Sequence, residues 1–466
     1  MMAGQSAGKV LVAVAMLFAA DCAIALSLDV AAAGRLSLDR SADLRSLENQ
    51  LSAAILSLRL SLRDWFPQLS LGYLDSSNVV TGGPDAASIQ WTVTVKQPVF
   101  DGGRSMRQRR LMEADLELQG RAIKDKRREI LESVDTAYHR ILMLRRKIGV
   151  KENTLAITDQ ELEVARAQFR LGSVRELDLL QSELQRSSLD ISIQSSEADL
   201  EESGFNLRQL LGLGTDVALN LLDDFDSSYT GMDLPEDGRL LGALVLEGNL
   251  DLRQRKAELR KKLAAIVESR AWYLPKVSVE GSLSLSGGRY PLQGASMNGK
   301  VTFEIPAPTT PLGFSVSSGA SGRQRANGSS VDLNPLQEIT SLVEMDGAAK
   351  ECALMRQRID DMDGALDFQV RKSVAAHARD RNSLDLQRRD LELLRKAAAI
   401  QRKLLDIGEA TRVDYLTALA KTAEGESAIL ESVLGLRQSE RALERLLGLE
   451  IGGLQRICSS IRVKGK

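Results

Sequence analysis

Residues 169–180 read FRLGSVRELDLL, and residues 405–416 return to the same pattern as LDIGEATRVDYL. In each stretch an apolar residue precedes a glycine, and an aspartate follows the glycine six positions later. The two glycines, Gly172 and Gly408, lie 236 positions apart, and LLGL at 210–213 returns at the same spacing as LLGL at 446–449. Repetition at a fixed spacing is the signature of a duplicated architecture. The sequence therefore predicts two similar halves.

Matches nearer the start of each half lie 208 positions apart instead. They pair DLR (43–45) with DLR (251–253), WFPQLSL (65–71) with YLPKVSV (273–279), and VKQP (95–98) with FEIP (303–306). The second half therefore holds a net insertion of 28 residues, the difference between the two spacings, before Gly408. The segment 307–334 is rich in Ser, Gly, Pro and Thr, so we expect the insertion there, as a loop or a disordered excursion.

Long amphipathic helices are predicted on both sides of each glycine. Between Asp101 and Leu171 there is no proline, and apolar residues from Ile123 to Phe169 recur at steps of three, four and seven. This 3.5-residue repeat is typical of coiled-coil packing. The pattern predicts long helices over 101–171 and 335–407, each reversing at its glycine into a second helix over 173–211 or 409–447.

Each half is also predicted to contain one β-hairpin, over 68–97 and 276–305. Leu69, Leu71 and Tyr73 alternate with polar residues, and so do Val277 and Val279, as in strands with one apolar face. Both halves then read helix, hairpin, long helix, turn, helix. The first repeat covers 26–240 and ends in a linker; the second covers 241–466 and ends in a tail.

Four amphipathic strands per chain leave open sheet edges, which are exposed to unwanted pairing. Inside a membrane the sheet has to close into a barrel, and barrels usually need at least about eight strands. Three chains would supply twelve strands and six helical hairpins, enough to enclose a hollow tube. The predicted fold is thus mainly α with a small β part, and each chain of a trimer would give one third of a 12-stranded transmembrane barrel.

The first 25 residues have the features of a signal peptide. Lys9 precedes a short apolar run, and Cys22-Ala23-Ile24-Ala25 offers a cleavage site with small residues. An uncleaved anchor and lipidation at Cys22 are the alternatives. We expect an exported protein.

The composition disfavours several functional classes. Lys and Arg number 61 against 63 Asp and Glu, without the basic surplus of a nucleic-acid binder. Cys352 and Cys458 form no metal-binding pattern, so no metal or cofactor is predicted. His139 and His377 are the only histidines, both inside predicted helices, and no catalytic motif accompanies them. We therefore expect no catalytic residues and no enzyme activity.

The run QPVFDGG (97–103) and the two glycine-turn stretches resemble motifs of the TolC-like outer-membrane efflux protein family. The likeness extends over nearly the whole chain after residue 25, although the second half has IPAP (305–308) in place of the FDGG sequence. The resemblance implies a homotrimer in outer-membrane lipid, with a periplasmic tunnel of α-helices (an α-barrel). It implies an exit duct for efflux or type I secretion, served by a periplasmic adaptor and an inner-membrane transporter. A periplasmic structural coiled-coil protein is the alternative.

The resemblance also implies roles for particular residues. The adaptor would dock at the hairpin tips, which comprise Leu171, Gly172, Ser173, Ile407, Gly408 and Glu409. The pore constriction would be formed by Asp414, Thr417 and, in the first half, Asp178. The alternatives are that the tips are plain helix stops and that Asp414 pairs with Arg412 on the helix exterior.

Overall fold

Two helices of 67 and 68 residues dominate the described part of the chain. The computed structural model describes residues 26–78, 86–215, 217–234, 239–270, 274–305, 311–333 and 339–464. The predicted signal peptide lies outside this range. The described residues divide into two units: unit 1 holds those within 26–45, 124–249 and 366–464, and unit 2 holds those within 46–123 and 250–365.

The described helices follow the order expected of two repeats. They are α1 (Val30–Arg40), α2 (Ala42–Leu60), α3 (Arg104–Arg170), α4 (Glu176–Leu210), α5 (Arg239–Gly248), α6 (Leu250–Arg270), α7 (Ile339–Asp406), α8 (Arg412–Leu446) and α9 (Gly453–Lys464). A 3₁₀ turn, Ser61–Trp65, follows α2. The strands are β1 (Leu26–Leu28), β2 (Gln68–Asn78), β3 (Ala86–Asp101), β4 (Leu219–Leu221), β5 (Lys276–Gly287), β6 (Gly294–Ile305), β7 (Leu312–Ser321) and β8 (Gln324–Leu333). The predicted fold class, mainly α with a small β part, is confirmed.

In unit 1 a short parallel pairing of β1 with β4 is anchored to α3 by a tyrosine. Tyr138 is fully buried, and its hydroxyl lies within hydrogen-bonding distance of two acceptors, the backbone oxygen of Leu28 at 2.9 Å and Asp223 Oδ2 at 2.8 Å. Burial, with the hydrogen bond to Asp223 adding to it, raises the pKa of Tyr138 to about 12. The hydroxyl therefore stays a donor and fastens the N-terminal strand to the helical core.

A second buried network in unit 1 centres on Glu440 of α8. Its carboxylate accepts hydrogen bonds from His377 Nε2 over 3.0 Å, from the backbone N–H of Met232 over 2.7 Å, and from the Tyr229 hydroxyl. His377 and Glu440 are each only 2% exposed. Burial alone would raise the pKa of Glu440, but the hydrogen bonds outweigh it and the pKa is lowered. The histidine that the sequence leaves without a role thus joins α7, α8 and the segment that follows β4.

Unit 2 contains one antiparallel sheet with the strand order β2-β3-β5-β6-β7-β8. The first four strands are the two predicted hairpins, and β3 pairs with β5 to join them. The last two strands come from the insertion. The prediction of a loop or disordered excursion over 307–334 is wrong for its described residues, and the sheet has six strands where the sequence predicts four.

The strands of the insertion form despite a Ser- and Gly-rich composition because their few large residues alternate. Leu312, Phe314 and Val316 lie on one face of β7, and Val331 and Leu333 continue that face on β8. Composition averages over this period-two pattern, whereas a strand depends on which face each residue occupies.

The first hairpin passes into helix through the FDGG sequence. Asp101, the last residue of β3, accepts from the backbone N–H of Gly103 over 3.0 Å and from that of Ser105 over 2.7 Å. One carboxylate therefore satisfies two amides at the start of α3, which begins at Arg104. Strand and helix are separated here by two residues.

We expect Glu440→Gln to destabilise unit 1 near neutral pH by about 1–3 kcal/mol, since one acceptor of a buried network becomes a donor. The pKa of Glu440 is lowered from 4.5, so the ionised carboxylate contributes its full stabilisation of unit 1 above pH 4.5. This contribution is lost as the pH falls through the lowered pKa. The Tm difference between wild type and variant should therefore be large at pH 7 and shrink at acid pH.

The matched control is Glu431→Gln, on the same helix, where the carboxylate is 54% exposed and pairs with Lys147 at the surface. Its Tm should stay close to that of the wild type at every pH. A Glu440→Gln difference that is independent of pH would contradict the assignment.

Candidate functional site

The two long helices end in the same hydrogen-bonded turn. At the end of α3, the N–H of Gly172 donates to the oxygen of Phe169 and that of Ser173 to the oxygen of Gln168, both over 2.9 Å. At the end of α7, Gly408 donates to Leu405 over 3.1 Å and Glu409 to Leu404 over 2.9 Å. This pair of bonds is the Schellman motif, which closes a helix and turns the chain away from its axis.

The glycines are required by backbone conformation rather than by crowding. Gly172 has a φ of +76° and Gly408 a φ of +81°, and a Cβ at either position would meet no heavy atom within 4 Å. For a residue other than glycine, a left-handed φ costs roughly 1–2 kcal/mol. The residues before them, Leu171 and Ile407, are 81% and 67% exposed. Each tip thus presents a large apolar side chain to its surroundings.

At the second tip, the aspartate predicted to form the constriction caps the helix that follows. Asp414 Oδ2 accepts from the backbone N–H of Thr411 over 3.1 Å and from its hydroxyl over 2.6 Å. In return the N–H of Asp414 donates to Thr411 Oγ1 over 3.2 Å, which completes a capping box at the start of α8. These bonds fix the orientation of an exposed carboxylate.

The other predicted constriction residues lie at corresponding places. Thr417 is half-buried, three residues after Asp414 and therefore about one turn along the same helix. Asp178 is half-buried at the third position of α4, the same helical position that Asp414 has in α8. The first tip differs in that Arg175, its N-cap residue, makes no side-chain capping bond.

Arg412 does not pair with Asp414, the alternative that the sequence left open. It pairs with Glu161 of α3, and its Nη2 also donates to Gln168 Oε1 over 3.3 Å. Arg402 of α7 binds the other oxygen of Glu161 over 2.8 Å and lies over the ring of Tyr415, 5.2 Å from its centroid. One carboxylate with an exposure of 10% therefore holds two guanidinium groups.

This three-residue cluster joins both halves of the chain near the tips, and the sequence analysis missed it. The only signal was a charged residue, Glu161, directly beside the apolar seam at Leu162. Its partners lie more than 240 positions away, so their proximity depends on how the helices pack.

The described residues contain neither a membrane-spanning helix nor a metal site. No described helix is long and apolar enough to cross a membrane. No group of three or more His, Cys, Asp or Glu residues in those ranges is arranged to hold a metal ion.

Comparison with known proteins identifies the family. A sequence model of the family described as "Outer membrane efflux protein" matches residues 34–213 and 241–449. The chain belongs to this family. The two matched segments correspond to the two halves recognised from the glycine turns, and membership places the protein in the outer membrane with a helical periplasmic part.

Individual relatives are distant. The outer membrane efflux protein BepC of Brucella suis biovar 1 (strain 1330) is 24% identical over 150 residues, which cover 31% of this chain and 32% of that protein. Among solved structures, CusC is similar with a TM-score of 0.72 and 16% identity, covering 90% of this chain and 92% of that one. The Campylobacter jejuni CmeC outer membrane channel has a TM-score of 0.72 and 13% identity, covering 90% and 85%. At these identities the structures show a shared fold.

We expect Glu161→Gln to loosen the second tip by about 2 kcal/mol, since two guanidinium groups lose their shared counter-charge and one of them, that of Arg412, is only 14% exposed. Backbone amides over 404–416 should then exchange hydrogen more than about tenfold faster in mass spectrometry. Glu163→Gln is the control, because Glu163 is 68% exposed in its pair with Arg166. Equal exchange in the two variants would contradict the role of the cluster.

Proposed function

We propose that this protein is the exit duct of a tripartite efflux or type I secretion system, a passive channel through the outer membrane. The observation that carries the proposal is the two-faced sheet of unit 2. One register row on one face runs across all six strands as Leu71, Val93, Leu283, Met297, Ala320 and Arg325. The neighbouring row on the other face is Gly72, Thr92, Ser284, Ser296, Ser321 and Gln324. We call these the apolar face and the polar face.

A sheet with one apolar and one polar face is suited to a transmembrane barrel, which has lipid on one side and water on the other. Transmembrane barrels alternate apolar residues toward lipid with polar residues toward the lumen, and aromatic residues collect at the interfaces. On the apolar face Tyr73 packs against Trp91 with ring centroids 4.8 Å apart, and Trp91 Nε1 donates to the Tyr290 hydroxyl over 2.8 Å. Trp91 is level with Ala295 of β6. Eight residues further along that strand, Phe303 lies beside Phe314 with ring centroids 6.4 Å apart. The two aromatic groups would mark the two interfaces.

The open edges of the sheet support assembly as a homotrimer. In lipid, unpaired backbone groups cost several kcal/mol each, so the barrel has to close between chains. The family and the duplicated helical hairpins support a tunnel built from six hairpins, two from each chain. Substrate would be supplied by an inner-membrane transporter through a periplasmic adaptor.

The exposed tips support docking of that adaptor. Leu171 and Ile407 are large, exposed apolar side chains, and each precedes a glycine turn whose backbone is held by hydrogen bonds. A fixed backbone at the tip limits the conformational entropy lost on binding, which favours apolar anchors of this kind.

Asp414 is proposed as the constriction. Around a three-fold axis three carboxylates would face one another, which favours cations and raises the affinity for multivalent ones. The capping box would hold each carboxylate in one orientation, while Thr417 and Asp178 would line the same narrow region.

The function is tested first by fractionation and mass. We expect the protein in outer membranes and, after extraction, a stable trimer by light scattering in detergent with mixed α and β circular dichroism. A stable, folded monomer would defeat the proposal. A soluble, almost wholly helical protein would favour a periplasmic coiled-coil role.

We expect Asp414→Ala to reduce the preference for cations over anions by at least about tenfold in planar bilayers and to abolish block by multivalent metal ions. Because this change also removes a helix cap, Thr411→Ala is the control: it breaks the same capping box but keeps the carboxylate. If Asp414→Ala conducts like the wild type, the carboxylates do not form the constriction.

We expect Ile407→Asp to reduce in-cell crosslinking to the adaptor by about tenfold or more, since a charge would replace an apolar anchor. Leu393→Asp, at a 62% exposed position of the same helix but away from the tip, should crosslink like the wild type. Both variants should remain trimeric. Undiminished crosslinking of Ile407→Asp would identify the tip as a plain helix stop.

A further inference from the structure

The hairpin β7–β8 covers the edge of β6, which would otherwise be an open edge of the sheet. β7 pairs with β6 along its whole length, from Leu312 opposite Ile305 to Ser321 opposite Ser296. β8 pairs with β7 in the same way, and β2 is the strand at the opposite end of the sheet. The two edges of the sheet are therefore β2 and β8, whereas the predicted hairpins alone would present β2 and β6.

The two edge strands differ in what they place on the apolar face. On β2 that face carries Leu69, Leu71 and Tyr73, all more than half exposed. On β8 it begins with Leu333 and Val331 and continues with Ser329, Asn327 and Arg325. The register sets these three polar residues level with Val301, Gly299 and Met297 of β6.

The polar stretch lies within the apolar band, not beyond it. Arg325 shares its row with Leu71, Val93 and Leu283, and the Tyr73–Trp91 pair lies two residues further toward the loop end. Within the hairpin, Ser318 Oγ donates to Asn327 Oδ1 over 2.8 Å on the same face. A lipid-facing arginine within the apolar band is unfavourable, and a trimer would carry three. β8 therefore suits water better than lipid.

We propose that β7–β8 is a temporary cover for the β6 edge, and that β2 of a second copy of this chain replaces it when the barrel closes. This rests on the proposed function, because the exchange needs a trimeric barrel. Before assembly the cover keeps β6 from pairing with other chains, as protected edges do. On assembly one ladder of backbone hydrogen bonds replaces another, so their number changes little.

The direction of the exchange follows from the outward rows. In either barrel the lipid meets Leu69, Leu71 and Tyr73 of β2. Only with β8 at the seam does it also meet Ser329, Asn327 and Arg325. The closed barrel then consists of β2, β3, β5 and β6 from each chain, which gives twelve strands. If the cover stayed in place, each chain would contribute six strands and the seam would join β8 to β2.

The test fastens the cover with a disulfide. In a background with Cys22, Cys352 and Cys458 changed to Ala, Lys300→Cys is combined with Ser317→Cys, its register partner on β7. The control combines Lys300→Cys with Glu280→Cys, its partner on β5, a pair that stays together in either barrel. Directly opposed residues of antiparallel strands are close enough for a disulfide.

We expect the oxidised Lys300→Cys/Ser317→Cys protein to stay monomeric and to become trimeric on reduction, which also shows that it folds. The oxidised control should be trimeric throughout. In a second readout, Lys300→Cys with Ser70→Cys or Ser76→Cys should link chains into covalent dimers and trimers.

Two results would overturn the inference. One is an oxidised Lys300→Cys/Ser317→Cys protein that forms trimers as readily as the control. The other is chain-to-chain linkage through Ser330→Cys with Ser70→Cys, which would place β8 at the seam. A background protein that is never trimeric would instead defeat the proposed function, and with it the exchange.

Discussion

A strand edge in lipid must have its backbone N–H and C=O groups paired, because no water is there to replace the missing partner. Within one chain, the strands from β3 to β7 are paired on both sides, whereas β2 and β8 each have one unpaired edge. The number of strands in the closed barrel therefore depends on whether each outer edge pairs with part of the same chain or with another copy. The alternation of the two faces adds a second condition, since a shift in register by one residue would turn every apolar side chain toward the polar side.

In unit 1, two buried carboxylates join segments that are distant in sequence. Glu440 accepts from His377, Tyr229 and the N–H of Met232, and Glu161 holds Arg402 and Arg412. Apolar seams with a 3.5-residue repeat allow neighbouring helices to slide by a heptad at modest cost. A carboxylate with directional partners permits one alignment, because any other leaves a charge buried without its counter-charge.

The sequence predicted those features that depend on local periodicity. Gly172 and Gly408 revealed the duplication and the helix reversals because a left-handed turn restricts the residue type. The alternation at Leu69 and Val277 revealed the two hairpins. The sequence does not predict β7 and β8, because the high Ser and Gly content of 307–334 masks the alternation of its few large residues. The contacts of Glu161 and Glu440 could not be predicted, since they join residues up to 251 and 211 positions apart. For Asp414, the resemblance to the efflux family implies a role, but the capping box with Thr411 is evident only from the structure.

The corner held by Asp101 limits where the chain can accommodate an added segment. In the first half, strand and helix are two residues apart, and one carboxylate binds the amides on both sides of the corner. Because Asp101 binds residues only two and four positions later, a segment inserted at this corner would separate it from the amides of Gly103 and Ser105. The second half carries no FDGG sequence after β6, and it is there that the chain gained a hairpin. The half without this corner can accommodate an inserted segment between strand and helix, whereas the half that keeps it cannot do so without losing both hydrogen bonds of Asp101.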